Sequence, residues 1–246
     1  MKPHDTVRYS FDVFDTVITR TVLHPKDLFL LMRQRIPSVL PEIDPSLVRR
    51  FWGWRVWSEF VARRQSRRED IDLAAVYQML ASLCALDDHS RDALLSLELQ
   101  IESEVLTPIG GAIELLHACR SRSDQGIVFI SDMYLPSAFI QGILDRYHLF
   151  HKGDLLYVSG ELGVSKGSGG LFRLMLEQLG IHPSSLVHCG DNLHADYRVP
   201  QAMGIGILNE PGQSGRAGRY ARLGGRLRYL RELAQACICI AGDGHV

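Results

Sequence analysis

Four short apolar runs, residues 7–11, 127–130, 155–158 and 186–189, end in polar or glycine residues and lead into stretches of helical periodicity. A fifth run, 204–208, has the same form more weakly. Continuous apolar runs of this length, bounded by turn residues, fit strands buried on both faces. Strands alternating with helical patterns of about 10–15 residues build βαβ units and a parallel sheet. Such sheets take ligands beyond the carboxyl ends of their strands.

Residues 21–106 interrupt the alternation. Leu47, Phe51, Trp54 and Val61, then Leu73, Val76, Tyr77 and Leu80, then Leu94, Leu97, Ile101 and Val105 recur at helical spacing. Prolines 25, 37, 41, 45 and 108 punctuate the stretch, and no strand pattern occurs in it. It reads as an all-helical insertion placed just after the first strand. All three tryptophans, Trp52, Trp54 and Trp57, fall on one of its helices, where core packing outweighs lining a pocket.

Composition narrows the class. With 246 residues, 46% of them apolar and 22% charged, the chain has the make-up of a globular protein. A formal net charge of -1 argues against a nucleic-acid binder, whose footprint is a basic excess. The five cysteines show no CxxC spacing, which fits a reduced, cytoplasmic chain. No secretory h-region opens the sequence, and no apolar run approaches the ~20 residues that span a bilayer, so no membrane insertion is expected. Arginines cluster in residues 49–68 and 216–231, as solvated helix faces or as anion-attracting surfaces.

The strand ends carry the chemistry. The first strand runs into Asp12, in FDVFDTVITR, and the fourth into Asp191, in VHCGDNLHAD, with Asp196 five residues on. The second runs into Ser131, in VFISDMYLP. After the third comes Lys166, one of few lysines, in GELGVSKGSGG at a helix start. Carboxylates, a hydroxyl and an ammonium would therefore converge on one crevice. Gathered carboxylates require a cation, and oxygen ligands favour Mg²⁺. The glycine-rich stretch beside Lys166 suits anions, although Ser165 before the lysine breaks the P-loop pattern.

In the order and spacing of these four motifs, residues 7–210 resemble the haloacid dehalogenase-like (HAD) hydrolase superfamily. The resemblance implies an α/β fold: a Rossmann-like parallel sheet core at 1–20 and 107–210, with an inserted all-helical (C1-type) cap at 21–106. Residues 211–246 would form an Arg-rich helical tail. It implies that Asp12 is the nucleophile that takes a phosphoryl group, and that Thr16 holds the first motif loop. Ser131 and the Asp132 backbone would bind the transferring group, and Lys166 would neutralise charge. Mg²⁺ would be held by Asp12, the Phe14 carbonyl, Asp191 and Asp196. The strings FDVFDT, SDMYLP and GDNLHAD also resemble a bacterial subgroup associated with glycosyltransferases, which favours a sugar- or polymer-related phosphate.

Phe14 departs from the family pattern. The family's phosphatases usually carry there a second Asp that protonates the leaving alcohol, and phenylalanine transfers no proton. Asp15, one position on, and His194 are the substitute acid/base candidates. The leading expectation is an Mg²⁺-dependent hydrolase of a small phosphorylated metabolite through an aspartyl-phosphate at Asp12. Two alternatives stay open. One is a catalytically weak or inactive module that binds a phosphorylated ligand or partner enzyme. The other is a hydrolase of C–P or C–halogen bonds. Arg55 is the candidate substrate anchor from the insertion, and the Arg-rich tail a candidate surface for a protein partner. His188 reads as structural or supporting. Cys237, Cys239, Asp243 and His245 lack the second ligand pair of a zinc site.

Overall fold

The computed structural model describes residues 7–208. The Arg-rich tail, the Cys237–His245 group and the ends of the expected core at 1–6 and 209–210 lie outside the described residues.

In chain order come β1 (Arg8–Phe11), β2 (Ile18–Arg20), α1 (Leu28–Val39), α2 (Pro45–Gln65), α3 (Leu73–Cys84), α4 (Asp88–Val105), β3 (Leu106–Pro108) and α5 (Gly110–Arg120). Then follow β4 (Val128–Ser131), α6 (Ser137–Arg146), β5 (Leu155–Val158), α7 (Ser159–Leu162), α8 (Gly170–Leu179), β6 (Leu186–Cys189), α9 (Val199–Ala202) and β7 (Gly206–Ile207). All five expected strands are present, two of them over the expected residues and the others within a residue or two. They form one parallel sheet of order β5-β4-β1-β6-β7, the Rossmann-like α/β fold expected from the alternation. The central strand β1 leads toward β4 on one side, while β6 leads toward β7 on the other. The strand order therefore reverses between β1 and β6, the switch point where such sheets bind ligands. Asp12 and Asp191 follow those two strands.

The described chain divides into two compact units. The sheet unit gathers residues 7–19, 68–70 and 107–208. Its core packs Val128, Ile130, Leu171, Phe172, Met175 and Leu186 between sheet and helices. The helical unit holds residues 20–67 and 71–106 and consists of α1–α4. Each of its last three helices starts on an aspartate whose carboxylate accepts a backbone N–H: Asp44 from Ser46, Asp72 from Ala75 and Asp87 from Ser90, each at 2.8 Å. Leu28, Phe29, Met32 and Ile36 give α1 its buried stripe. Pro37, expected as punctuation, stands inside the end of α1. A proline removes one hydrogen bond there, and the apolar stripe outweighs the loss. The three-residue strands β2 and β3 flank the insertion as a separate two-stranded ribbon. They are too short to show a period in the sequence.

Candidate active site

Strand β1 places Asp12 at its carboxyl end, 6% exposed, with its backbone N–H donating to the Cys189 carbonyl at 2.8 Å. Two side chains fix the carboxylate. Lys166 Nζ donates to Oδ1 at 2.6 Å and Thr16 Oγ1 donates to Oδ2 at 3.1 Å. Thr16, expected to hold the first motif loop, thus bonds Asp12 directly. The same ammonium donates to Asp196 Oδ1 at 2.5 Å. Ligand atoms of Asp12, Asp191 and Asp196 lie within 4.8 Å of one another. Residues 179 and more positions apart in sequence therefore meet where the parallel register brings the ends of β1 and β6 side by side.

The loop after β6 is built around Asp196. Residues Leu193–Arg198 form a π-helical turn, a form concentrated at functional sites. Asn192 caps it by accepting from the His194 and Ala195 N–H groups at 2.9 and 3.0 Å. Asp196 Oδ2 accepts the Asn192 N–H at 3.0 Å. Gly190 is required here. A Cβ on it would lie 2.4 Å from the Asp196 carboxyl carbon, so the carboxylate packs against the bare backbone.

One ammonium faces three carboxylates, and the protonation behaviour follows from that shortage. Burial costs the charged forms, yet Lys166 is held charged by Asp12 and Asp196 against that cost. The Lys166 ammonium and His188 hold the Asp196 carboxyl well below the usual carboxylate range. Burial, then the charge of Asp196 and Asp191, pushes Asp12 up. Burial, then the Asp196 and Asp15 charges, pushes Asp191 up to about 6. A divalent cation would neutralise the two surplus charges, and a set of carboxylate oxygens is the donor chemistry of Mg²⁺. The residues present fit that ion.

Phe14 is nearly buried and forms a backbone bridge with Ile18. Asp15 adopts φ 59°, the left-handed region that aspartate tolerates better than most side chains. Its Oδ1 accepts from Thr19 Oγ1 at 2.6 Å. Asp15 lines a cavity of about 200 Å³ together with Thr16, Ile109, Gly111, Leu115 and Asp191. Ser131 ends β4, 1% exposed. The Asp132 carboxylate accepts the Lys166 N–H at 2.7 Å and the Gly167 N–H at 3.4 Å, so it ties the lysine loop to the β4 loop. His194 bonds the Gly167 carbonyl through Nε2 at 3.1 Å.

Arg55 departs from its expected role as a substrate anchor. Its side chain is 0% exposed inside the helical unit, bidentate to Glu98 at 2.7 and 2.8 Å. Its third contact is Glu59 at 3.2 Å. A guanidinium so enclosed holds the bundle together and presents nothing to a ligand.

Sequence reasoning missed several residues around Lys166. Glu69 accepts from the Ser165 N–H at 2.8 Å and from Ser168 Oγ at 2.5 Å, so a carboxylate of this chain occupies the glycine-rich nest that suited an external anion. Asp70 accepts from Ser159 Oγ, whose oxygen in turn accepts the Met133 N–H at 2.9 Å. Arg68 donates to the Gly160 and Glu161 carbonyls. Nothing local marks Glu69 or Asp70, whereas Ser10 and His188, polar residues inside apolar strands, are a readable sign that each has a buried partner.

No family model matches the chain. It is 38% identical over 96 residues to the pyrimidine 5'-nucleotidase YjjG of Escherichia coli (strain K12), over 38% of this chain and 40% of that relative. The match thus spans well under half of the relative's length. Among solved structures, the chain resembles the 2-haloacid dehalogenase of Pseudomonas syringae pv. Tomato DC3000 with a TM-score of 0.57. That likeness has 14% identity and covers 90% of this chain and 99% of the other. It also resembles the putative HAD-hydrolase YfnB of Bacillus subtilis bound to magnesium, with a TM-score of 0.53 and 18% identity over 82% of this chain and 87% of that one. The fold is the Rossmann-like fold of HAD hydrolases.

Proposed function

We propose that this chain is a Mg²⁺-dependent HAD-type hydrolase of a small phosphorylated metabolite. The observation that carries the reading is the convergence of Asp12, Asp191 and Asp196 around a single ammonium. The magnesium bound by YfnB and the partial likeness to a nucleotidase support it.

The residues have assignable roles. An Asp12 carboxylate oxygen attacks the phosphorus, the bond to the leaving oxygen breaks, and the phosphoryl group stays on Asp12. Water then attacks that phosphorus, releasing inorganic phosphate and restoring the carboxylate. Lys166 neutralises charge on Asp12 and on the transferring oxygens. Ser131 and the Asp132 N–H supply donors to the same oxygens. A bound Mg²⁺ supplies a second positive charge and a fixed alignment, held by Asp12, Asp191, the Phe14 carbonyl and Asp196 directly or through water.

Phe14 leaves the leaving oxygen without the family's usual proton donor. Asp15, on the wall shared with Thr16 and Asp191, is assigned that proton transfer. General acid help is worth about 10²–10⁴-fold in rate, so its weakening would favour substrates with good leaving groups, such as acyl and aryl phosphates. Phe14 also supports a second reading, a module that binds a phosphorylated ligand with little turnover. The carboxylate surplus argues against a metal-free dehalogenase.

The test is phosphate release from a panel of sugar phosphates, nucleoside monophosphates and acyl phosphates. It is run with Mg²⁺, with EDTA and with Asp12→Asn. Release should vanish with EDTA and fall about 10⁴-fold or more in the variant. Wild-type release no higher than that of folded Asp12→Asn would sink the hydrolase and leave the binding module.

A further inference from the structure

Ser10 and His188 sit opposite each other in register on β1 and β6, the two strands at the switch point. Both are wholly enclosed, in strands whose other core positions are apolar. A polar side chain in the centre of a parallel sheet is costly unless every polar atom is bonded. Here the bonds form a line. Ser10 Oγ lies 2.9 Å from His188 Nδ1, and His188 Nε2 lies 3.2 Å from Asp196 Oδ1. Asp196 Oδ1 also takes Lys166 Nζ at 2.5 Å, and Lys166 Nζ reaches Asp12 Oδ1 at 2.6 Å.

For a neutral imidazole the line has one consistent proton assignment. The Asp196 carboxylate only accepts, so His188 Nε2 carries the hydrogen. Nδ1 is then an acceptor, and the Ser10 hydroxyl donates to it. Phe172 meets the imidazole edge to face, with ring centroids 5.0 Å apart, and fixes its plane. Asp196 is thereby held by three donors from three places: His188 on β6, Lys166 before α8 and the Asn192 N–H. The absent side chain of Gly190 lets the carboxylate settle against the backbone. Lysine is a point charge on a flexible stem, and only its partners decide where the charge sits.

We propose that Ser10 and His188 are positioning residues: through Asp196 they fix the Lys166 ammonium on Asp12. The inference rests on the hydrolase reading for its consequence, and its geometry can be tested without turnover. Asp196 sets the imidazole tautomer, Ser10 holds the ring through Nδ1, His188 orients Asp196 in return, and Asp196 aims the lysine. A role in folding alone would make the same pair a replaceable filler of the sheet.

The experiment uses the full chain and three variants. His188→Leu keeps bulk and removes the donor. His188→Gln keeps an N–H within reach of Asp196. Ser10→Ala removes the hydroxyl that holds Nδ1. Thermal melts first show which variants are folded. Nitrogen-15 spectra of metal-free wild type should show His188 protonated at Nε2, and Ser10→Ala should keep that tautomer while shifting the Nδ1 signal, whose hydrogen bond is lost. Lysine-labelled protein has only four lysines, so the Lys166 ammonium signal can be followed. It should move in His188→Leu and return toward wild type in His188→Gln.

With p-nitrophenyl phosphate and Mg²⁺, His188→Leu should lower kcat about 10- to 100-fold with KM nearly unchanged, and His188→Gln should recover most of it. A folded His188→Leu with the wild-type Lys166 signal overturns the inference, as does a wild-type ring protonated at Nδ1. If wild type fails to turn over any phosphate while the Lys166 signal follows His188, the hydrolase reading fails and the positioning line stands.

Discussion

Two sets of buried charges distinguish the two units of this molecule. In the helical unit, Arg55 meets Glu98 in a bidentate pair, the Tyr77 hydroxyl donates to Glu98 at 2.6 Å, and the guanidinium lies 4.6 Å from the Phe29 ring centre. Arg20 meets Glu102 in a second bidentate pair, its shortest contact 2.7 Å. Each guanidinium there has a carboxylate of its own, and Arg55 reaches a second one, Glu59. In the sheet unit, one ammonium serves Asp12 and Asp196 while Asp191 stands close by. Buried charge is expensive in both places. The balanced sets explain architecture, and the unbalanced one is the set that the proposed cation and substrate would complete.

The comparison can be broken by one kind of substitution made in both units. Glu98→Gln leaves the buried Arg55 without its bidentate counter-charge and with only the longer contact to Glu59, and unfolding stability should fall by about 3–5 kcal/mol. Asp191→Asn removes one of the crowded negative charges instead. The metal-free melting temperature at pH 7 should rise by about 2–6 °C, because repulsion is relieved. The same variant should bind Mg²⁺ at least about 100-fold more weakly and lose turnover. Calorimetric melts of both variants with EDTA, followed by Mg²⁺ titration, check the pair. If both variants lose stability alike, the charge surplus around Lys166 is not real.

Acidity sharpens the same contrast. Asp191 is raised from the ordinary carboxylate range to about 6 in the folded chain. Its contribution to stability is full when it is protonated and is lost as pH rises from about 4 through about 6. Asp196 is shifted the other way, so its contribution is present above the ordinary range and lost as pH falls below it. Metal-free wild type should therefore lose stability relative to Asp191→Asn between pH 4 and 6 and hold a constant deficit above that window. Mg²⁺ binds the ionised form, so the gain in melting temperature on adding it should be larger at pH 7 than at pH 5. Melts across pH 4–8, with and without Mg²⁺, measure both. A gap between wild type and variant that does not change with pH would refute the Asp191 shift.

What the sequence disclosed follows the range of the interactions. β5 and β6 were legible because strands buried on both faces leave short continuous apolar runs. Asp12, Lys166 and Asp191 stood out because each follows such a run or precedes a helix start, and Asp196 because it lies five residues beyond Asp191 in the motif. The Arg55 role was not, because its burial is decided by Glu98, 43 positions away, and arginines on the same helix are solvated. Ser10 and His188 are 178 positions apart, and only the register of β1 against β6 makes them partners. Glu69 meets Ser165 across 96 positions, with no local pattern to announce it. Local periodicity shows elements and their ends, while pairing across the fold shows which charges are balanced.

The smallest effect isolates burial from geometry. Arg35 and Glu104 form a bidentate pair at 2.8 and 2.6 Å, through Nη1 and Nη2 where Arg55 meets Glu98 through Nε and Nη2, but their side chains are 43% and 42% exposed. Water already solvates both groups, and holding two long side chains in one pose costs rotamer freedom. Glu104→Gln should leave the melting temperature within about 2 °C of wild type. Raising salt to about 1 M, where screening acts over about 3 Å, should erase even that difference. The loss in Glu98→Gln should survive the same salt, because ions do not reach a pair with no exposed surface. Melts of the two variants at low and high salt decide the matter. If Glu104→Gln costs as much as Glu98→Gln, ion-pair geometry rather than enclosure governs the helical unit, and the charge balance of a buried site would no longer separate architecture from chemistry.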